Sequence, residues 1–231
     1  MIVVPKAALK RVSQGGALTF SSRTGMSADR EDTIRQLIVS RETIDRLDAF
    51  VDVLFRWSTV KNLISSRSWP NVWTRHILDS AAIVPYLPKG RQWADLGSGA
   101  GFPGIVVAIM NGSGDQAAPY LIESDKRKAA FLAEAARVTD TQVNIQTARV
   151  EDVMPTLPRN VGAILSRATA SMQTLLNWSQ AHIDDGAIGL FLKGERAAEE
   201  IALLQHHQHY SFEFLTSRTS MSGVLIRVKR K

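Results

Sequence analysis

Residues 95–104 read DLGSGAGFPG, with four glycines and one proline in ten positions, directly after the apolar RQWA. Glycine lets the chain enter φ > 0 and lets a ligand approach bare backbone, and proline suits a helix start, where its missing N–H is not needed. The stretch therefore predicts a strand, a glycine turn and a helix opening at Pro103. Such a unit belongs in an α/β fold. The sequence after Gly90 agrees. Short β-prone runs at 92–96, 120–123, 143–146, 163–166 and 187–192 alternate with helical stretches near 103–111, 126–138, 171–182 and 195–205. Strands this apolar have no wet face, so the pattern predicts a parallel sheet covered on both sides. YSFEFLTSR and GVLIRVKRK predict two closing strands that give the sheet an antiparallel edge.

The first 85 or so residues show helical periodicity only. Ile44, Leu47, Val51 and Leu54 recur at three- and four-residue steps, with Ser40 placed to cap the helix and Glu42 in its first turn. A second helix is predicted from about Trp69 to Val84, ended by Pro85 and Pro88; His76 and Asp79 lie three apart on it, as a packing pair or at the mouth of a site. Residues 1–30 set Lys6, Lys10, Arg11, Arg23 and Arg30 against Asp29 alone. Residues 1–28 are therefore expected to form a disordered basic tail, the other readings being an RNA-contacting arm, a transit-like segment or a start at Met26. The expected organisation is this tail, a helical cap over 29–88 and an α/β domain over 89–231.

Composition narrows the function. At 231 residues and 45% hydrophobic the chain can bury a core, and no run approaches the roughly 20 apolar residues of a membrane span. The longest apolar run near the glycine loop, Phe102 to Met110, predicts a buried helix. There is no cysteine, which excludes disulfides, thiolate metal sites and a cysteine nucleophile. His206, His207 and His209 have no acid or thiol beside them, and no metal is expected. The net charge of +6 favours a polyanionic partner.

The glycine spacing selects the cofactor. A dinucleotide fingerprint needs G-x-G-x-x-G; Gly97 and Gly99 fit, but Phe102 holds the third position. The run is instead G-x-G-x-G behind Asp95. A carboxylate there would repel a pyrophosphate, yet it suits a cofactor with an ammonium and a sulfonium. S-adenosylmethionine is one, and its carboxylate can use the helix N-terminus near Pro103. No G-K-[ST] follows, so a P-loop is excluded. Glu123 ends the second predicted strand, where a carboxylate accepts both ribose hydroxyls of an adenosine; NAD and S-adenosylmethionine both satisfy this, and a capping acid is the bland alternative.

The acceptor is narrowed by what is missing. After the fourth strand, GAILSRATAS lacks the [DNS]-P-P-[YFW] tetrapeptide of enzymes that methylate exocyclic base amines, and no cysteine can attack a pyrimidine C5. Guanine N7 needs neither, because its lone pair is free and catalysis reduces to positioning and desolvation. Carboxylates, catechols and small amines stay open.

WSTVKNL with Trp57, Asn62 and Leu63, RHILDS at 75–80, DLGSGAGFPG, ESDKRKAAFL, ARVED at 148–152, SRA at 166–168 and LKG at 192–194 follow in this order. Together they resemble the bacterial glucose-inhibited division protein B family over roughly residues 40–230. The resemblance implies a Rossmann-like class I S-adenosylmethionine-dependent methyltransferase with an N-terminal helical cap. Its implied substrate is N7 of a guanine in 16S small-subunit ribosomal RNA, free or in a ribosomal particle. A cytoplasmic monomer without membrane or metal partners is expected. The resemblance further implies cofactor contact by Gly97 and Phe102, by Val150 and Glu151 at the adenine, and by Arg167 at the methionine end or the incoming base. Arg167 could bind phosphate or stack on guanine, against a structural ion pair with Asp95. Lys193 could reach phosphate, against a solvated loop lysine. These two are the candidate catalytic residues. Rival readings are a nicotinamide-dependent oxidoreductase and an RNA-binding assembly factor with an idle methyl site.

Overall fold

The computed structural model describes residues 20–112, 117–204, 208–215 and 223–231. Seven strands form one sheet: β1 (Trp93–Leu96), β2 (Tyr120–Ile122), β3 (Asn144–Gln146), β4 (Ala163–Arg167), β5 (Ile188–Lys193), β6 (Tyr210–Leu215) and β7 (Val224–Arg230). Their order is β3-β2-β1-β4-β5-β7-β6. The first five are parallel, and β7 and β6 add the antiparallel edge that the two closing runs predict.

Side chains alternate across a strand, and here both faces are dry. Trp93, Leu121, Leu165 and Leu190 enter one core, with Phe131 and Leu132 of α5 (Lys126–Val138) and most of α4 (Gly104–Asn111). Their neighbours Ala94, Ile122, Ile164 and Phe191 enter the other, with Leu175 and Leu176 of α7 (Met172–Asp184) and Val153 of the short α6 (Val150–Val153). A last helix, α8 (Ala197–Ala202), follows β5. The chain leaves β1 toward β2 and β3, then returns to add β4 on the opposite side. The crevice at the carboxyl ends of β1 and β4 is thus the switch point where open α/β sheets hold ligands.

The cap precedes the sheet and shares its first core. Helix α2 (Arg41–Ser58) is capped by Ser40, whose hydroxyl accepts from the Thr43 N–H at 3.1 Å, and it buries Leu47, Phe50, Val51, Val53 and Leu54. Phe50 meets Phe102 edge-on at 5.3 Å and Phe131 at 6.3 Å, joining cap and sheet.

Two sequence expectations change here. Helix α1 runs Phe20–Gln36, across the boundary expected at residue 28, so residues 20–28 are helical rather than disordered. A buried acid explains the order: the Asp29 carboxylate accepts the Trp73 N–H at 2.7 Å and the Thr74 N–H at 3.2 Å, and Arg30 pairs with Asp48 through two bonds of 2.6 and 2.5 Å. Residues 1–19, like His206 and His207, lie outside the described residues. The single helix expected over 69–84 is instead a 3-10 turn (Ser66–Asn71), a π-helical turn (Trp73–Leu78), α3 (Asp79–Ala81) and a 3-10 turn (Val84–Tyr86). Pro70 interrupts the first of these. Single π turns recur at functional sites, and this one carries His76.

Candidate active site

The glycine loop crosses the top of β1 and meets α4 at Gly104, with Pro103 as the residue before the helix rather than its first turn. Gly97 sits at φ +71, and a Cβ built on it would lie 2.4 Å from Thr169 Cγ2. Only glycine fits there. Gly104 is held as closely from below: a Cβ would meet Asp95 Oδ2 and Leu121 Cδ2 at 2.5 Å each.

A cleft of about 580 Å3 opens above this loop, a size that encloses a small cofactor. The loop contributes Gly97, Gly99 and Phe102; the end of β2, Glu123; the start of α6, Val150 and Glu151; and the end of β4, Arg167. Seven of the nine sequence-predicted site residues therefore converge. The cleft also takes Leu63 and Ile64 from the cap, Lys128, Arg149, Thr169 and Trp178. Leu63, Lys128, Arg149 and Thr169 lie in stretches already singled out, but not as site residues, and Ile64 and Trp178 carried no local signal, because these side chains come together only through the sheet order.

Glu123 is 7% exposed and receives the Gly99 N–H at 2.9 Å on one oxygen and the Asp125 N–H at 2.7 Å on the other. Its carboxylate thus fixes the loop and still has lone pairs to face a ribose. Glu123→Ala is expected to weaken S-adenosylmethionine binding by roughly 1–3 kcal/mol and to lower the melting temperature as well, since both backbone N–H groups lose their acceptor. Calorimetric titration beside a thermal melt separates the effects. A melt shift with unchanged affinity would leave Glu123 as a loop anchor only.

Asp95 and Lys193 are placed differently from the expectation. Asp95 does not line the cleft: it is fully buried under the loop, one oxygen accepting the Gly104 N–H at 3.0 Å and the other without a partner. It shapes the turn instead of facing a ligand. Burial pushes its carboxyl up to about 7, against the Gly104 hydrogen bond and the field of Arg167. Folded Asp95 therefore holds its proton more tightly than the unfolded chain does. Its contribution to stability is present in full below pH 3.8 and is lost as pH rises toward about 7. Asp95→Asn keeps an acceptor for Gly104 and cannot ionise, so urea unfolding between pH 4 and pH 8 should show a flatter pH profile for the variant. Parallel profiles would mean that Asp95 ionises freely in the fold.

Lys193 is not the solvated loop lysine of the alternative reading. Its side chain is 8% exposed, donates to the Ala170 carbonyl at 2.8 Å and pairs with Glu200 at 2.8 Å, while Glu200 also accepts the Met172 N–H. It ties β5 to the start of α7.

Arg167 stands at the centre of an aromatic and polar stack. Its guanidinium lies 5.3 Å from the Phe102 ring, and Phe102 in turn stacks on His76 at 4.8 Å and 24°. Arg167 Nη1 donates to the Arg75 carbonyl at 3.0 Å and Nη2 donates to His76 Nδ1. A guanidinium can only donate, so Nδ1 accepts and the imidazole is neutral. Burial, with Arg167 and Arg75 nearby, holds the His76 pKa down at about 3. No ion pair joins Arg167 to Asp95 among the described residues; Asp79 and Asp95 act on it through their fields. The next residue, Ala168, is held at φ +51, a conformation that costs an alanine roughly 1 kcal/mol or more. Thr169 Oγ1 bonds the Leu96 and Arg167 carbonyls at 3.0 Å each, locking the turn to β1.

A second cavity of about 220 Å3 adjoins the cleft, with Arg167 and Ala168 lining both. Arg75, His76, Asp79 and Lys193 complete much of its wall. One basic residue thus stands between a cofactor-sized cleft and a smaller compartment.

Known proteins share the fold and identify the family. Among solved structures, a ribosomal-protein methylase from Lactobacillus delbrueckii subsp. bulgaricus superposes with a TM-score of 0.52 at 13% identity, over 67% of this chain and 77% of that one. A cofactor-bound protein from MTB gives 0.51 at 13% identity, over 97% of this chain and 94% of that one. Both show a shared fold. Ribosomal RNA small subunit methyltransferase G of Methylobacterium nodulans is 39% identical over 87% of this chain and 95% of its own length. The protein of the same name from Gluconobacter oxydans is 40% identical over 82% of this chain and 95% of its own length. The family described as rRNA small subunit methyltransferase G matches residues 43–224, and the chain belongs to that family.

Proposed function

We propose that the chain moves a methyl group from S-adenosylmethionine, held in the larger cleft, to N7 of a guanine presented through the smaller cavity, with Arg167 holding the base. Family membership makes it a methyltransferase of small-subunit rRNA, which answers both the nicotinamide-enzyme and the idle-site readings; the proposal assigns atoms. The carrying observation is the Arg167–Ala168 junction shared by the two compartments.

The residues fit the cofactor. Gly97 brings bare backbone to the cleft wall at a point where any Cβ would strike Thr169, Glu123 offers carboxylate lone pairs to a ribose, and Val150 with Glu151 provides an apolar wall and an acceptor for an adenine amine. Leu63 and Ile64 from the cap shield the cleft. When bound, S-adenosylmethionine supplies a methyl carbon on a cationic sulfur. Guanine N7 brings its own free lone pair, so no protein base is required, and the chain has only to align, desolvate and hold. Phe102 and neutral His76 keep the junction dry, and Arg167 supplies a cation for the target nucleotide.

The proposal extends to a monomer acting in the cytoplasm on rRNA or a ribosomal particle. Among the described residues no helix is long and apolar enough to cross a membrane and no acid or histidine cluster could hold a metal. Among the described residues the large exposed apolar side chains, Ile38, Val60, Leu203 and Phe214, come from four separate segments. Incubating purified protein with labelled S-adenosylmethionine and either naked small-subunit rRNA or small-subunit particles tests the reading. Borohydride and aniline scission should then mark an N7-methylguanine. Label incorporated without scission would place the methyl on another atom.

A further inference from the structure

The smaller cavity is lined by two opposite charges, Asp79 and Arg167. Asp79, half-buried, is the only acid among the described residues lining it, and it exerts the strongest attraction on Arg167. Lys193, in the same wall, is already committed to Glu200 and the Ala170 carbonyl. Arg167 is pinned by the Arg75 carbonyl and by His76 Nδ1, so its remaining N–H groups have a set direction. A ligand entering here therefore meets a fixed donor and, in the same wall, a carboxylate whose two oxygens offer several lone pairs.

That order of charges matches one nucleobase edge. Guanine presents the O6 acceptor next to the N1–H and N2 amine donors; adenine presents a donor, its N6 amine, next to the N1 acceptor. The geometry points to Asp79 as a specificity-determining residue: its carboxylate accepts from guanine N1–H and the N2 amine while Arg167 donates to O6. This rests on the guanine-N7 reading above and adds to it a reason for guanine over adenine. The perimeter of the base agrees, because N7 lies next to O6. With O6 on Arg167, N7 turns toward the Arg167–Ala168 junction, where the cleft begins. Holding the guanidinium on Arg75 and His76 also keeps it from spanning O6 and N7 together, the usual arginine–guanine pairing, which would occupy the reacting lone pair. His76 is thus a positioning residue, acting through Arg167. Extraction of a base into such a compartment costs a few kcal/mol of unstacking, which paired edge contacts help offset.

The test replaces the target guanosine by inosine, which keeps N7, O6 and N1–H and lacks only the N2 amine, in small-subunit rRNA ligated from fragments. Wild-type protein should methylate the inosine substrate about ten- to a hundredfold more slowly in kcat/KM. Asp79→Asn should lose a similar factor on guanosine, yet lose about tenfold less on inosine than on guanosine, with S-adenosylmethionine affinity unchanged. That non-additivity reports contact between Asp79 and the missing amine, which a merely structural role would not produce. Equal wild-type rates on the two bases would overturn the assignment without any variant, and so would equal losses by the variant on both. The guanosine substrate is read first by scission at N7-methylguanine. Absence of scission there would sink the methyl-transfer assignment itself, whereas scission without discrimination sinks only the role of Asp79.

Discussion

Gly97→Val is expected to abolish S-adenosylmethionine binding, a loss of at least about a thousandfold by calorimetric titration, while the folded protein remains in solution. Two independent costs meet at this position. A β-branched residue at φ +71 is strained wherever it occurs. Its Cβ would also stand 2.4 Å from Thr169 Cγ2 and 2.7 Å from Thr169 Oγ1, so Thr169 must leave. That hydroxyl bonds the Leu96 and Arg167 carbonyls, and displacing it loosens the turn after β4 together with the loop after β1, the two strands flanking the cleft. Gly99→Ala is the internal control. Its φ of +53 carries backbone strain, but the added Cβ would meet only the Gly97 carbonyl at 3.6 Å and Glu123 at 3.9 Å, ordinary contacts. It should cost affinity by about tenfold at most, in line with roughly 1 kcal/mol of strain. Equal losses for the two variants would mean that strain, not the contact with Thr169, governs the loop.

The contrast between these glycines shows what the sequence discloses and what it does not. G-x-G-x-G told of a turn and a close approach, because those demands are local. Alternating apolar runs told of a sheet dry on both faces, and the helix expected over 126–138 coincides with α5 as observed. Ser40 was legible as a cap for the same reason: a hydroxyl three residues from its N–H partner is local chemistry. Asp95 was not legible. An acid ending a strand faces solvent or core according to the loop that folds over it, and here Gly104 closes on it. Lys193 misled for a related reason, since its partner Glu200 lies beyond a turn that sequence spacing does not fix. Helix α1 was invisible because what orders it is not an apolar stripe but Asp29 receiving two N–H groups from residues 44 and 45 positions away. Leu63, Ile64 and Trp178 reach the cleft from the cap and from α7, and only the assembled sheet brings them there.

Arg167→Ala should lower methyl transfer by three or more orders of magnitude while S-adenosylmethionine still binds. The adenosine contacts assigned to Glu123, Val150 and Glu151 lie at the end of β2 and the start of α6, so removing the guanidinium leaves most of the cleft intact. What disappears is the dividing group between the two compartments, along with bonds to the Arg75 carbonyl and His76 and the cation over Phe102. Lysine should not restore activity. An ammonium is a point donor without the planar fork that can hold the Arg75 carbonyl, His76 Nδ1 and a base at once. His76 adds a further check. With its pKa held at about 3 partly by Arg167, it should titrate closer to the ordinary imidazole range in the alanine variant, visible in its ring proton shifts. Removing a nearby cation favours the charged imidazole, so the shift is upward. Retained cofactor affinity, lost transfer and a raised His76 pKa together would place Arg167 on the base side of the junction. Lost cofactor affinity with retained rRNA binding would move it to the cofactor side, and the group that holds the base would then have to be sought among Arg75 and Asp79 in the remaining wall of the smaller cavity.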